Sequence, residues 1–221
     1  MKFFITIKEH SERIPKKNFQ LIGKSPLWKH LVQEIQEYDV YIDTDSDLVL
    51  NECLNMKKVK AYPRKQEFID IEEQAISTPT LKMINNFLDN FVNDDNEIII
   101  TTHVTSPFLK LSTFLDAVSI LKQDKYDSVQ SVTKHQGPLW LGDDMKPSNF
   151  DPKIVKKTQD LPKITISNGG FFIFRKKTFK ETNNRIGKTP YYYSLSSPEN
   201  IEIDNYDDLN LARIIERGLC N

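Results

Sequence analysis

The residues best suited to chemistry fall in a few short segments. The first, Lys8-Glu9-His10-Ser11-Glu12-Arg13-Ile14-Pro15-Lys16-Lys17-Asn18, gathers Lys8, Arg13, Lys16 and Lys17 directly after an apolar run. Cations clustered in this way can neutralise a polyphosphate, Arg through its planar fork and Lys as a point charge. A charged run is more often a solvated surface segment, so its position after a strand is what recommends phosphate binding. Asp43-Thr44-Asp45, Pro63-Arg64 and Thr102-His103-Val104-Thr105-Ser106-Pro107 follow further apolar runs. Near the end stands Ile201-Glu202-Ile203-Asp204-Asn205. In a strand, residues two apart share a face, so Glu202 and Asp204 would present two carboxylates together. Such a hard-oxygen pair suits Mg²⁺ shared with substrate phosphates. The same stretch also reads as a helix start, with Asp204 or Asn205 as cap and Asp207 and Asp208 in the first turn. By spacing alone both readings stand.

The elements that must position these residues alternate between short apolar runs and helical patterns. Phe3–Ile7, Val40–Ile42, Val59–Tyr62, Glu97–Thr102 and Ser128–Thr133 read as strands. Helices are expected from Pro26 to Ile35, over Leu48–Leu50 behind the caps Asp45 and Ser46, from about Thr80, and from Phe114 to Leu121. Strand and helix in alternation predict an α/β fold, an open and mostly parallel Rossmann-like sheet flanked by helices. Ligands of such sheets bind beyond the carboxyl ends of the strands, where the candidate segments fall. The rhythm changes after about residue 134. Residues 134–168 lack helical period, while Phe171–Phe174 and Tyr191–Tyr193 look like strands and Asp204–Arg217 like a closing helix. The expectation is one domain over 1–221 with a β-rich arm at about 134–195.

Composition narrows the classes of function. The chain has 221 residues, enough for a substantial core without a metal or disulfide staple. Lys+Arg total 30 against Asp+Glu 31, a balance that argues against a duplex-DNA binder and a polybasic membrane anchor. Cys53 and Cys220 lie far apart without metal or redox spacing and read as reduced thiols. No apolar stretch is long enough for a membrane span or a signal peptide, so a cytoplasmic protein without nucleic-acid or membrane partners is expected. The histidines show no metal-ligand spacing; His103 lies at a strand end, but packing or solvent contact is the commoner role of a lone His. Only 7 residues are Gly and no Walker A or GxGxxG loop occurs, so side-chain cations must carry the phosphate binding.

Taken in order, these segments resemble the cytidylyltransferases that make CMP-activated acidic sugars, the CMP-sialic acid synthetases and their relatives acting on other nonulosonic acids or Kdo. Lys8-x-x-Ser11-x-Arg13-Ile14-Pro15-x-Lys17-Asn18 is similar to that family's phosphate loop, Tyr41–Asp45 to its STD segment and Arg64 to the Arg that follows. Thr105-Ser106-Pro107 stands where the family has QPTSP, with His103 in place of Gln. Lys157–Pro162 and Asn168-Gly169 resemble RxQDLP and NG, and Ile201–Asp204 with Asp208 resembles IDID…D.

The resemblance implies transfer of CMP from CTP to the anomeric hydroxyl of an acidic 2-keto sugar, with Mg²⁺ and release of pyrophosphate. It assigns catalysis to Lys17, Arg13, Lys8 and Asp204, and nucleotide contacts to Lys8, Ser11, Arg13, Lys17, Asn18 and Arg64. Sugar contacts would come from His103, Thr105, Ser106, Lys157, Gln159 and Asn168, and Mg²⁺ ligands from Glu202 and Asp204. It also implies a homodimer in which the arm of one subunit closes the sugar site of the other. The chain departs from the pattern at Lys8-Glu9-His10 for Arg-Gly-Gly, at Glu12 beside the phosphates, at Lys157 for Arg and at Glu202 for Asp. Other nucleotide specificity, a GT-A-like transferase or a non-catalytic nucleotide-binding relative are the competing readings. Asp43-Thr44-Asp45 spells the DxD of a GT-A enzyme but comes early in the chain.

Overall fold

The computed structural model describes residues 1–74 and 78–219. In chain order the elements are β1 (Lys2–Ile7), β2 (Leu21–Ile22), β3 (Ser25–Pro26), α1 (Leu27–Ile35), β4 (Asp39–Thr44), α2 (Asp47–Cys53), β5 (Val59–Pro63), α3 (Gln66–Glu73), α4 (Thr80–Phe91), β6 (Ile98–Thr102) and α5 (Leu111–Leu121). There follow β7 (Ser128–His135), β8 (Trp140–Leu141), β9 (Lys146–Pro147), β10 (Ile164–Arg175), α6 (Lys176–Thr182), β11 (Pro190–Ser194) and α7 (Tyr206–Leu219). Short 3₁₀ turns lie at Lys17–Phe19 and Thr158–Asp160.

The main sheet has seven strands in the order β11-β7-β10-β6-β1-β4-β5. β1 pairs in parallel with β4 and β6, β4 with β5, and β7 with β11. Only β10 runs against its neighbours β6 and β7. The expected open, mostly parallel sheet is thus the one observed. Its β1 reads as a near-continuous apolar run because both faces are covered. One face packs Phe3, Ile5 and Ile7 with Trp28, Leu31 and Phe114 from α1 and α5; the other packs Phe4 with Ile84, Phe87 and Leu88 from α4. A smaller apolar cluster, including Ile14, Ile22, Phe108, Ile203 and Leu209, fixes the first loop against the base of α7.

The second half differs from its expected outline. Phe171–Phe174 belong to β10 and Tyr191–Tyr193 to β11, both integral to the main sheet, and α6 lies between them. Of the stretch at about 134–195, the part from about 136 to 163, with its small β8–β9 pair, lies outside the main sheet. The apolar Phe171–Phe174 run is buried, its two faces packing in the two layers that flank the main sheet. The helix α3 carries too weak an apolar pattern to be read from sequence, with Phe68 its single buried residue. Cys53 is a buried free thiol; Cys220 lies outside the described residues.

Candidate functional site

Beyond the carboxyl ends of β1, β4, β5 and β6 lies an open cleft of about 450 Å³. Its floor is Thr6 at the end of β1, and its walls are the first loop, the segment after β6, Gly169 of β10 and the stretch before α7. The sequence-predicted Lys8, Ser11, Arg13, Lys17, Asn18, Arg64, His103, Thr105, Glu202 and Asp204 all line it. Glu12, Glu72, Thr78 and Arg185 line it as well.

The first loop is held from below. Asn18 is buried and donates from Nδ2 to the Lys8 carbonyl at 2.9 Å, closing the loop on itself. The Glu9 backbone N–H donates to Asp45 Oδ1 at 2.7 Å. Asp45 therefore anchors the loop instead of capping α2, and Ser46, at the N-cap position, makes no side-chain cap bond. Lys16 adopts a left-handed backbone (φ 50°) that turns the chain into the 3₁₀ turn carrying Lys17. The Lys17 ammonium, 13% exposed, donates to the Ile203 carbonyl at 2.8 Å and lies 3.3 Å from Asp204 Oδ1. Arg13 reaches the same carboxylate oxygen at 2.7 Å. Residues some 190 positions apart thus meet on one carboxylate.

The stretch 201–204 is loop and not strand, yet Glu202 and Asp204 both line the cleft. The Ile203 N–H donates to the Thr105 carbonyl at 2.8 Å, and Thr105 Oγ1 donates to Glu202 Oε1 at 3.5 Å. Capping of α7 falls to neighbours. Asn205 Oδ1 accepts from the N–H groups of Asp207 and Asp208, and the Asp208 carboxylate accepts from those of Asp204 and Asn205, a reciprocal capping box. The two readings of this stretch therefore divide between adjacent residues, and the Asp204 side chain is left for the cleft. Burial, reinforced by Asp204, holds the Glu202 carboxyl above the usual carboxylate range. Gly169 has φ +68°, a left-handed backbone that glycine adopts without strain, and a Cβ there would sit 2.9 Å from the Glu202 carboxylate and push it aside.

Arg64 is the most constrained cation. Its Nε donates to Asp43 Oδ1 at 2.7 Å, Nη2 to the Asp43 carbonyl at 3.3 Å and Nη1 to Glu72 Oε2 at 3.0 Å. Burial nevertheless leaves Asp43 raised, the Arg64 guanidinium only partly offsetting it. Asp43 and Asp45, the two carboxylates of the DxD spelling, are thus both engaged in holding the scaffold. His103 is pushed down to about 4, by burial first and then by Arg185 and Lys17.

Other expected sugar contacts sit elsewhere. Ser106 is buried, its N–H donating to the His103 carbonyl. Asn168 turns its amide onto β7, accepting from Ser131 Oγ at 2.7 Å and donating to Thr133 Oγ1 at 3.0 Å, where it supports the irregular pairing between Ser167 and Phe172. At that point the cleft wall is Gly169. Lys157 and Gln159 are exposed on the 136–163 stretch and are not among the residues lining the cleft. Arg185 escaped the sequence reading because it lies in a polar loop with no motif around it; its only sequence signal is a cation shortly before a strand.

A family model for cytidylyltransferases matches residues 8–205. The chain belongs to the cytidylyltransferase family. Among curated relatives, the N-acylneuraminate cytidylyltransferase of Streptococcus agalactiae serotype III is 27% identical over 216 residues, covering 92% of this chain and 50% of the relative. N-acylneuraminate cytidylyltransferase A of Danio rerio is 25% identical over 204 residues, covering 88% and 45%. The chain spans about half the length of the curated relatives it matches. Two solved structures share the fold. A CMP:2-keto-3-deoxy-manno-octonic acid synthetase complexed with CTP has a TM-score of 0.65 at 12% identity, with 98% of each chain covered. The 4-diphosphocytidyl-2C-methyl-D-erythritol synthase of Anaerococcus prevotii has a TM-score of 0.69 at 14% identity, covering 98% of this chain and 95% of that one. Among the described residues no helix is long and apolar enough to cross a membrane.

Proposed function

We propose that this cytidylyltransferase moves CMP from CTP to a hydroxyl of an acidic 2-keto sugar of the nonulosonic type, releasing pyrophosphate. The observation that carries the reading is the meeting of Lys17 and Arg13 on Asp204 beyond the end of β1, cations and carboxylate of one cleft. Lys8, Arg13 and Lys17 bind and orient the triphosphate, and Ser11 and Asn18 shape the nucleoside end. Arg64, fixed by Asp43 and Glu72, presents a rigid edge for the base. Catalysis in such a transfer is positioning and charge neutralisation around the α-phosphorus.

The donor chemistry of Glu202 and Asp204 fits Mg²⁺. Two carboxylates share one wall, and Glu202, raised by burial first and then by the neighbouring Asp204, is a carboxyl whose ionised form a cation would favour. Among the described residues no cluster of three or more metal-ligating side chains occurs, so substrate phosphates and water would complete the shell, as is usual for this ion. When bound, the ion supplies charge neutralisation at the phosphate oxygens. Before the substrate arrives, Arg13 and Lys17 hold Asp204 in place.

Trp140, Leu141, Met145, Ile154 and Val155 are exposed apolar residues of the 136–163 stretch. We read them as one side of a homodimer contact that would bring Lys157 and Gln159 to a neighbouring sugar site. A sedimentation run at micromolar concentration giving a clean monomer would refute this.

The test of the reaction class is calorimetry of CTP against UTP, ATP and GTP, each with and without Mg²⁺. Selective binding of CTP is expected. Binding without preference would favour a transferase of other specificity, and no nucleotide binding a non-catalytic relative.

A further inference from the structure

A second cationic centre lies in the cleft apart from the first loop. Arg185 comes from the segment between α6 and β11, and its guanidinium lies over the Phe172 ring, 3.7 Å from the ring centroid. Phe172 is on β10, and the order β10-β6-β1 sets it two strands from the loop that follows β1, about 10 Å across the sheet. Between them, just past the end of β6, is His103, pushed down to about 4 by burial first and then by Arg185 and Lys17. A neutral imidazole brings one N–H donor but no charge, so the guanidinium is the cation on this side of the cleft.

The segment carrying Arg185 is built, not loose. The Ile186 N–H donates to Asn184 Oδ1 at 3.1 Å and the Gly187 N–H to Ser128 Oγ at 2.8 Å. The Asp127 carboxylate accepts from the N–H groups of Lys188 and Thr189. A Cβ on Gly187 would collide with that carboxylate, so the segment can approach β7 only with glycine there. A rigid mount presents a charged fork whose Nη1 is buried and, among the described residues, has no hydrogen-bond partner. Burying a guanidinium donor without a partner is unfavourable, and an arriving anion would relieve it. The nearby carboxylate, Glu202, acts on Arg185 through space, and among the described residues the two form no ion pair within 4.0 Å.

We propose that Arg185 is the cation that receives the carboxylate of the acidic acceptor sugar, a specificity-determining contact distinct from the triphosphate cations of the first loop. The inference rests on the cytidylyl-transfer reading. A molecule assembled across this cleft needs a polyphosphate at one end and a second anion about two strands away, which is the geometry of CTP beside a sugar acid. The forked donor suits a carboxylate bidentately, which the exposed Lys157 cannot match.

The test uses the full chain loaded with CTP and two probes, N-acetylneuraminate and 2-keto-3-deoxy-manno-octonate, each as the free acid and as its carboxamide. The wild type should bind one acid well above its amide. Arg185→Gln should weaken acid binding by roughly 10–100-fold, the loss expected for a hydrogen-bonded charged group, and abolish the preference over the amide. CTP affinity should stay within about twofold, because the phosphate cations are separate. Arg185→Lys should restore part of the preference, keeping the charge without the fork, and it serves if the Gln variant does not fold. An acid preference intact in a folded Arg185→Gln protein overturns the assignment. So does a loss of CTP or pyrophosphate affinity larger than the loss for the acid, since the guanidinium would then serve phosphate. Binding of CTP with no binding of either acid or amide by the wild type also overturns it and leaves the nucleotide reading standing; absence of CTP binding overturns both.

Discussion

Truncating Arg64 to Ala should destabilise this protein far more than any change at its surface. The Arg64 and Asp43 side chains are 1% and 0% exposed, with Nε and Oδ1 2.7 Å apart. At 2.7 Å and an effective dielectric of about 20, Coulomb's law gives roughly 6 kcal/mol of attraction. Desolvation offsets much of that in the intact pair, but truncation leaves the buried Asp43 without its cation, at a cost of about 3–5 kcal/mol. In a domain of this size such a loss lowers Tm by roughly 6–20 °C. The pH dependence follows from Asp43, whose carboxyl burial already raises above 3.8. In the window between the usual value and the raised one, the native state holds more protons than the unfolded state, so stability declines as pH rises. Removing Arg64 takes away the groups that lower Asp43, widening that window upward. Urea denaturation of wild type and Arg64→Ala should therefore show the largest deficit near pH 8 and a smaller one near pH 5. The double change Asp43→Asn with Arg64→Met should recover much of the loss, because neutral replacement of both partners is nearly free. A deficit below about 1 kcal/mol, the range of an exposed pair, or one that grows on acidification, would refute the reasoning.

Lys17→Ala should leave the fold largely intact, since the ammonium contributes one bond to the Ile203 carbonyl and one contact with Asp204. It should weaken CTP binding by roughly 10–100-fold, as expected for a charged hydrogen-bonding group; unchanged CTP affinity and turnover in the folded variant would remove Lys17 from the phosphate site. His103, depressed from 6.5 to about 4, supports the native state fully above its unfolded value and loses that support as pH falls through 6.5 towards 4. His103→Asn should flatten this part of the acid limb of the stability curve, measured as the difference between wild type and variant; identical slopes would show that the imidazole is not held neutral.

Much of the architecture could be read from the chain because its signals are local. The apolar runs at Phe3–Ile7 and Ile98–Ile100 are strands buried on both faces, and the periodic Leu81, Ile84, Phe87 and Leu88 follow from one helix face meeting the sheet. The cationic loop and the Glu202/Asp204 pair were legible for the same reason, since each lies within a few residues and at a predicted element end. Local pattern could not say that the Phe171–Phe174 run joins the main sheet against its neighbours, because pairing direction is decided by what lies beside a strand, not within it. Nor could it tell that Asn205 and Asp208 would take the capping of α7 and leave Asp204 to Arg13 and Lys17. Asn168 and Asp45, equally polar in sequence, became supports because backbone and hydroxyl groups of distant segments came within reach. Arg185 shows the division most clearly. Sequence supplied a cation in a polar loop, and only the fold, by clamping that loop on Asp127 and laying the guanidinium on Phe172, placed it in the cleft with an Nη1 that has no hydrogen-bond partner among the described residues. Residue type and spacing determine what chemistry a segment can do; which partners consume that capacity depends on contacts between segments far apart in the chain.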